Sequence, residues 1–231
     1  MAQEGTYFSS YNMEGLTPIA WAAKGGHEEI VKLLLEQDDI NLSIPDEYGQ
    51  TPLSLAAREG HEGVVKMLLE RTDVNPDPAN KYGETPLWAA TKKGHEGVVK
   101  MLLERADINP NAANYYGQTP LYMAALRGNE AVVKILLERD DISPDTENKY
   151  GQTPLFRAAC NGHEGIVKML LERADVNSDT EDLAGETALS RALRNGHHAI
   201  VKLLSEHEGS IPRSDGDKST ALLSSGHSDL D

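Results

Sequence analysis

Histidine is the chain's most regular chemistry-bearing residue: His27, His61, His95, His163 and His197 fall in register, 34 positions apart, with Asn129 filling the same slot where a sixth would stand. Imidazoles at fixed spacing suggest a metal ladder. Packed helices, however, stand about 8–10 Å apart, whereas zinc needs ligand atoms converging at about 2 Å. Asparagine in the series fits hydrogen bonding better, so these side chains are read as ties between helix starts and neighbouring turns. Cys160 is the single cysteine, and no recurring histidine and acid surround it to activate a thiolate. Glycines fall singly at turns rather than in a phosphate-cradling GxxxxGK[ST] loop. The reading is therefore non-enzymatic, with no catalytic residue, cofactor or metal.

The elements that position these residues repeat. GHEGVVKMLLER occupies Gly60–Arg71 and Gly94–Arg105, a near copy occupies Gly162–Arg173, and looser copies begin at Gly26, Gly128 and Gly196. Each unit runs turn glycine, Thr-Pro-Leu, a short Ala-rich helix, Gly-His, an apolar helix and an Asp/Asn/Pro-rich loop. The units are 13–46, 47–80, 81–114, 115–148, 149–182 and 183–208. Thr17, Thr51, Thr85, Thr119, Thr153 and Thr187 suit the N-cap of the first helix, with proline following in all but the last. In the second helix Val98, Met101 and Leu102 form an i, i+3, i+4 stripe that a neighbour must cover. Glu62–Lys66 and Glu96–Lys100 are spaced for pairing on its other side. Helices this short are not stable alone, so stability must come from stacking. Ala188 and Ser205 replace the usual proline and leucine in the last unit, as suits a polar stack end. Residues 1–12, with Tyr7, Phe8 and Tyr11, are expected to cover the first unit, and 209–231 are expected to be a disordered tail.

A period of 34 is nominally that of tetratricopeptide repeats, but the letters decide otherwise. TPLSLAAREGHEGVVKMLLERTDVN at 51–75 resembles the ankyrin consensus, and the resemblance extends over 13–208. The Asp-Ile/Val-Asn-Pro-Asp loop and Tyr-Gly-Gln-Thr-Pro-Leu turn resemble the arrays of fungal innate-immunity-like receptors. The resemblance implies an all-α ankyrin-repeat solenoid of paired antiparallel helices with β-hairpin-like or extended loops. It also implies protein–protein binding through hairpin tips and the concave face of the first helices.

Charge and exposure refine that expectation. The chain has 231 residues and a formal net charge of −15, which opposes general binding to nucleic acid or acidic membrane. No apolar run reaches the roughly 18 residues of a spanning helix. The lone cysteine and the absence of a basic start followed by an apolar run favour cytosol or nucleus. Asn41-Leu42-Ser43 spells a glycosylation acceptor, discounted for want of such a leader.

Counting from each capping threonine, positions +2, +5 and +6 form the buried stripe. Positions +4, +7 and +8 lie opposite and carry eight basic residues against one acid, Glu59. The bland account is a solvated face balanced by neighbouring acids; the functional one is a basic groove for an acidic segment. At +3, Trp88, Tyr122 and Phe156 occupy the central units, as stack spacers or as apolar anchors. Tyr48, Tyr82, Tyr116 and Tyr150 form a ladder at the tips, readable as packing between hairpins. Lys81, Tyr115 and Lys149, one residue earlier, are candidates for exposed contact.

The partner surface is accordingly placed on the third to fifth units. Lys92, Lys93, Arg127 and Arg157 would pair with charge, Trp88, Tyr122 and Phe156 would anchor, and Lys81, Tyr115 and Lys149 would make tip contacts. The chain is expected to be a monomeric scaffold. Oligonucleotide or nucleotide-like ligand sensing is the alternative from another class, and a detached sensor array of a larger receptor is a third.

Overall fold

A computed structural model describes residues 15–37 and 39–210; the expected N-terminal cover, 1–12, and all of the tail beyond Ser210 lie outside them. Among the described residues there are twelve helices and no strands. The first helices of the units are α1 (Pro18–Gly25), α3 (Pro52–Glu59), α5 (Pro86–Lys93), α7 (Pro120–Arg127), α9 (Pro154–Asn161) and α11 (Ala188–Arg194). The second helices are α2 (Glu28–Leu35), α4 (Glu62–Leu69), α6 (Glu96–Leu103), α8 (Glu130–Leu137), α10 (Glu164–Leu171) and α12 (His198–Ser210). First helices pack on first helices and second on second, giving two layers with one continuous core between them.

Local chemistry sets each boundary. Every capping threonine accepts the backbone N–H three residues on, as Thr85 Oγ1 does from Trp88 N at 3.2 Å. At the other end Gly60 has φ 82°, the left-handed conformation that lets the chain reverse into α4. The last unit differs: α11 ends in the αR residue Asn195, and Thr187 forms a capping box with Ser190. Helix α12 runs to Ser210, past the 208 boundary, because no Asp/Pro-rich loop interrupts it.

The buried stripe is where helical spacing placed it in the first five units, but it is wider than expected: Leu55 and Met123 at +4, placed on the opposite face from sequence, are buried too, while Leu193 at +6 of the last unit is 60% exposed. Leu53, Ala56 and Ala57 are buried in α3, facing Val64, Val65 and Leu68 of α4. Each large aliphatic side chain so buried contributes about 1.5–3 kcal/mol. Alanine at +5 and +6 lets the first helices approach closely.

Units are also tied across their boundaries. His61 Nε2 donates to Lys24 O at 3.0 Å, His95 Nε2 to Arg58 O at 3.1 Å and His197 Nε2 to Cys160 O at 3.0 Å. Since a carbonyl only accepts, each ring carries its proton on Nε2. Asn129 Nδ2 makes the same bond to Thr91 O at 3.0 Å. The recurring histidine is thus a stack tie that asparagine can replace.

A second tie comes from the arginine ending GHEGVVKMLLER. Arg105 donates through one guanidinium nitrogen to Leu69 O at 3.1 Å, covering an orphan carbonyl at the end of α4. Its other nitrogens grip Asp107 at 2.9 and 2.7 Å. Arg139 and Arg173 repeat the arrangement with Leu103 and Leu137, paired to Asp141 and Asp175. The guanidinium holds each aspartate below the usual carboxylate range.

The glutamate of the same motif also faces a neighbour. A Cβ at Gly63, Gly97 or Gly165 would collide with the carboxylate of Glu28, Glu62 or Glu130 in the preceding unit. That carboxylate lies over the first turn of the next second helix, where negative charge is favoured. Ala199 fills the corresponding place in the last unit, and Glu164 there pairs instead with Lys168 at 2.6 Å.

Candidate functional site

The candidate face is built from the first helices and the hairpins leading into them. Each hairpin closes on its own Asn or Asp. Asn114 Oδ1 accepts from Tyr116 N at 2.9 Å and Gln118 N at 3.1 Å, while Asn114 N donates to Gln118 O at 3.1 Å. Successive tips are stitched by backbone bonds: Lys81 N to Tyr48 O, Tyr115 N to Tyr82 O and Lys149 N to Tyr116 O, all at 2.9 Å. The tip side chains are therefore held on a rigid row.

Lys81, Tyr115 and Lys149 are exposed on that row, as placed from sequence. Tyr115 leans on Gly83 of the preceding hairpin, where φ is 77° and a side chain would strike the ring. The tyrosine ladder is more open than inter-hairpin packing implies: Tyr82, Tyr116 and Tyr150 are 50%, 55% and 54% exposed.

The three +3 aromatics are elsewhere. Trp88, Tyr122 and Phe156 are 2% exposed or less, so their expected role as groove anchors is corrected: they pack between units. The Trp88 indole Nε1 donates to Gln118 O in the next unit at 2.9 Å, and its ring packs with Tyr122 and Met123. The Tyr122 hydroxyl accepts from Asn148 Nδ2 at 2.9 Å and Arg157 Nε at 2.8 Å. A helical wheel places +3 beside the buried arc, and the next unit's hairpin covers it.

These aromatics also consume part of the basic row. Lys92 Nζ stands 4.8 Å from the Trp88 ring centroid and 3.7 Å from Glu84. Arg157 is committed to Tyr122, and Arg191 lies 5.6 Å from the Phe156 ring while pairing with Glu186. Arg194 pairs with Glu186, and Arg58 with Glu59 and Gln50 at 2.8 Å each. Lys92 and Arg157 are thus structural as well as basic. Lys93 and Arg127, at +8 in successive units, are exposed and form no ion pair or hydrogen bond among the described residues. Their counterparts Asn161 and Asn195 are tied to Leu126 O and Cys160 O at 2.9 and 2.7 Å. Cys160 is half-buried beneath Asn195 and His197.

The loops after the second helices stack too. Asn111 Oδ1 accepts from Ser143 N at 2.9 Å while its Nδ2 donates to Asp141 O at 2.7 Å. Asp77 and Asp145 hold the equivalent positions, each accepting the backbone N–H of Asn109 or Asn177. Burial pushes both carboxyls upward in pKa.

A model of ankyrin repeats in three copies matches residues 3–80, 48–114, 74–147, 109–180 and 141–215. The chain is similar to the ankyrin repeat domain of Bcl-3, a member of the IkappaB protein family. Identity is 27%, coverage 84% of this chain and 87% of that one, and the TM-score 0.75. It is similar also to an ankyrin repeat domain from Acinetobacter baumannii AYE, with 28% identity, 83% and 97% coverage and a TM-score of 0.75. No match was found among curated proteins. With matches running through successive overlapping windows along the repeats and the same paired-helix stack in both structures, this chain belongs to the ankyrin-repeat family.

Proposed function

We propose that this chain is a protein-binding scaffold whose concave face and hairpin tips, in the third to fifth units, hold an acidic segment of another protein. The exposed and unpaired cations Lys93 and Arg127 carry this reading. Around them Lys81 and Lys149 add charge at the tips, and Tyr115, Tyr116 and Tyr150 offer amphipathic rings that bury area at little cost in side-chain freedom. Arg157 and Lys92 contribute to the local potential while remaining bonded within the stack.

The spacing suits an extended ligand. Equivalent positions on stacked helices recur about every 10 Å, close to one three-residue turn of a polyproline II segment at about 3.1 Å per residue, which returns i and i+3 to the same face. Acidic side chains at i and i+3 would therefore meet Lys93 and Arg127. On a protein with a net charge of −15, a local basic strip also discriminates by position, repelling acidic partners elsewhere and speeding encounter there. Cytosol or nucleus is the proposed setting.

The test is affinity capture from lysate by the immobilised chain and by K93E/R127E. An acidic protein retained by the first and lost by the second, with unchanged melting curves, supports the reading. Equal retention by both sinks the groove assignment, and a retained nucleic acid assigns the strip to phosphate instead.

A further inference from the structure

The two ends of the stack are open in complementary ways. In the last unit Leu193, at +6, is 60% exposed. Its counterparts Ala23, Ala57, Thr91, Ala125 and Ala159 are fully buried, Ala23 in the first unit included, so what Leu193 lacks is a unit after it. In the first unit Ile30 is 42% exposed, while Val64, Val98, Val132, Ile166 and Ile200 are 1% exposed or less. Ile200 is buried in the last unit, so what Ile30 lacks is a unit before it. Leu33, 62% exposed, follows the same rule: Met67, Met101, Ile135, Met169 and Leu203 all pack against the core. We infer that these ends meet. The first unit of a second copy stacks head to tail on the last unit of this chain, which self-associates rather than remaining the monomer expected from sequence.

The ties that join units are prepared at both ends. Within the stack the rings of His61, His95, His163 and His197 lie on Gly26, Gly60, Gly128 and Gly162 of the preceding unit. Gly196 keeps that turn, with φ 77°, and has no described atom within 4 Å of where a Cβ would stand. His27 keeps the backbone of the donor, φ −81° and ψ 75° against −82° and 81° at His61. Its ring makes no hydrogen bond among the described residues and is turned onto its own Gly25 and Trp21 instead. On docking, that ring would swing onto Gly196 and donate to Arg194 O, the counterpart of the Arg58 O that receives His95.

The ends depart from the repeat in matching pairs. Between units a glutamate of one second helix lies on a glycine of the next, Glu28 on Gly63 and Glu62 on Gly97. At the ends His198 takes the glutamate's place and Glu29 the glycine's, both exposed, so the contact becomes imidazole against carboxylate. Helix α2 opens with two acids, whereas α12 has none in its first turn. Size is matched as well. Residue +4 packs on +3 of the unit before, Leu55 on Ala20 and Met123 on Trp88. Trp21, at +4 and 47% exposed, would meet the small, exposed Ser190 at +3 of the last unit.

Sedimentation equilibrium of the full chain from about 10 μM to 1 mM tests this. The weight-average mass should climb past two copies without a plateau, since a heterologous contact leaves every complex a free end. Leu193→Asp blocks one end and I30D/L33D the other, each weakening association at least about tenfold by setting a carboxylate where an aliphatic chain would be buried. An equimolar mixture of the two should form a one-to-one complex and stop there, because each variant keeps the end the other lacks. His198→Glu should weaken association about fivefold through repulsion from Glu29, and E29K/H198E should restore it. The inference is overturned by a wild type that stays monomeric throughout, by a plateau at two copies, which marks a symmetric contact, by a mixture that stays dissociated, or by failure of the charge swap to restore association. K93E/R127E should associate like the wild type, so the outcome is independent of the acidic-segment reading.

Discussion

Tyr122→Phe isolates one tie within the stack. The side chain is fully buried, so the ring's packing is retained and only the hydroxyl is lost. That oxygen accepts from Arg157 Nε at 2.8 Å and Asn148 Nδ2 at 2.9 Å. Asn148 keeps a longer bond to Gln152 Oε1 at 3.3 Å, whereas Arg157 loses the bond its Nε makes across the unit boundary. Removing an acceptor from two partly buried donors costs about 1–2 kcal/mol. For a stack of this size that lowers Tm by roughly 2–8 °C. Urea unfolding followed by circular dichroism measures the cost, and hydrogen exchange should locate it at the boundary between the fourth and fifth units. A cycle with R157M should give a coupling of about 1 kcal/mol. A stability within roughly 0.3 kcal/mol of the parent, or strictly additive single variants, would refute the tie. The result bears on function, because a binding defect in an Arg157 variant cannot be assigned to a lost contact while the same change loosens the stack.

Two further predictions concern ties elsewhere. His95→Ala should cost about 1 kcal/mol by orphaning Arg58 O, whereas His95→Asn should recover most of it, since Asn129 makes that bond naturally; equal losses in thermal melts would contradict the assignment. Asp145→Asn should raise stability at pH 7 by about 1 kcal/mol, because an amide there can donate as Asn111 does to Asp141 O while the carboxylate cannot. Burial raises the Asp145 pKa, so its contribution is fully present below the unfolded carboxyl value and is lost as pH rises through the folded one. The advantage of the variant should therefore shrink in melts at falling pH, and a constant gap would contradict the cause given.

The fold was legible because its signals are local. A threonine three residues before an orphan amide, proline at the first helical position and glycine at the turn fix each helix within a few residues, and a 34-residue period repeats the message. The site was harder to read because its residues act across units. Trp88, Tyr122 and Phe156 lie at the edge of the buried arc on a helical wheel, and only the next unit's hairpin decides whether that edge is groove or interior. The tie made by Arg105 is invisible in one unit, since its bond to Leu69 O spans 36 residues. At +8 the side-chain type decides: Asn161 and Asn195 bond carbonyls of the preceding unit, whereas the exposed Lys93 and Arg127 form no side-chain hydrogen bond or ion pair among the described residues.

The central claim is that constant second helices build the stack and the concave strip selects the partner. It is tested most directly by titration calorimetry of the captured partner against two variants carrying the same change in net charge. K93E/R127E alters the strip, and K100E/K134E alters exposed second-helix lysines of the same two units. The account predicts roughly tenfold or greater weakening for K93E/R127E and an affinity within about twofold of wild type for K100E/K134E. Equal losses, or a larger loss for K100E/K134E, would contradict it.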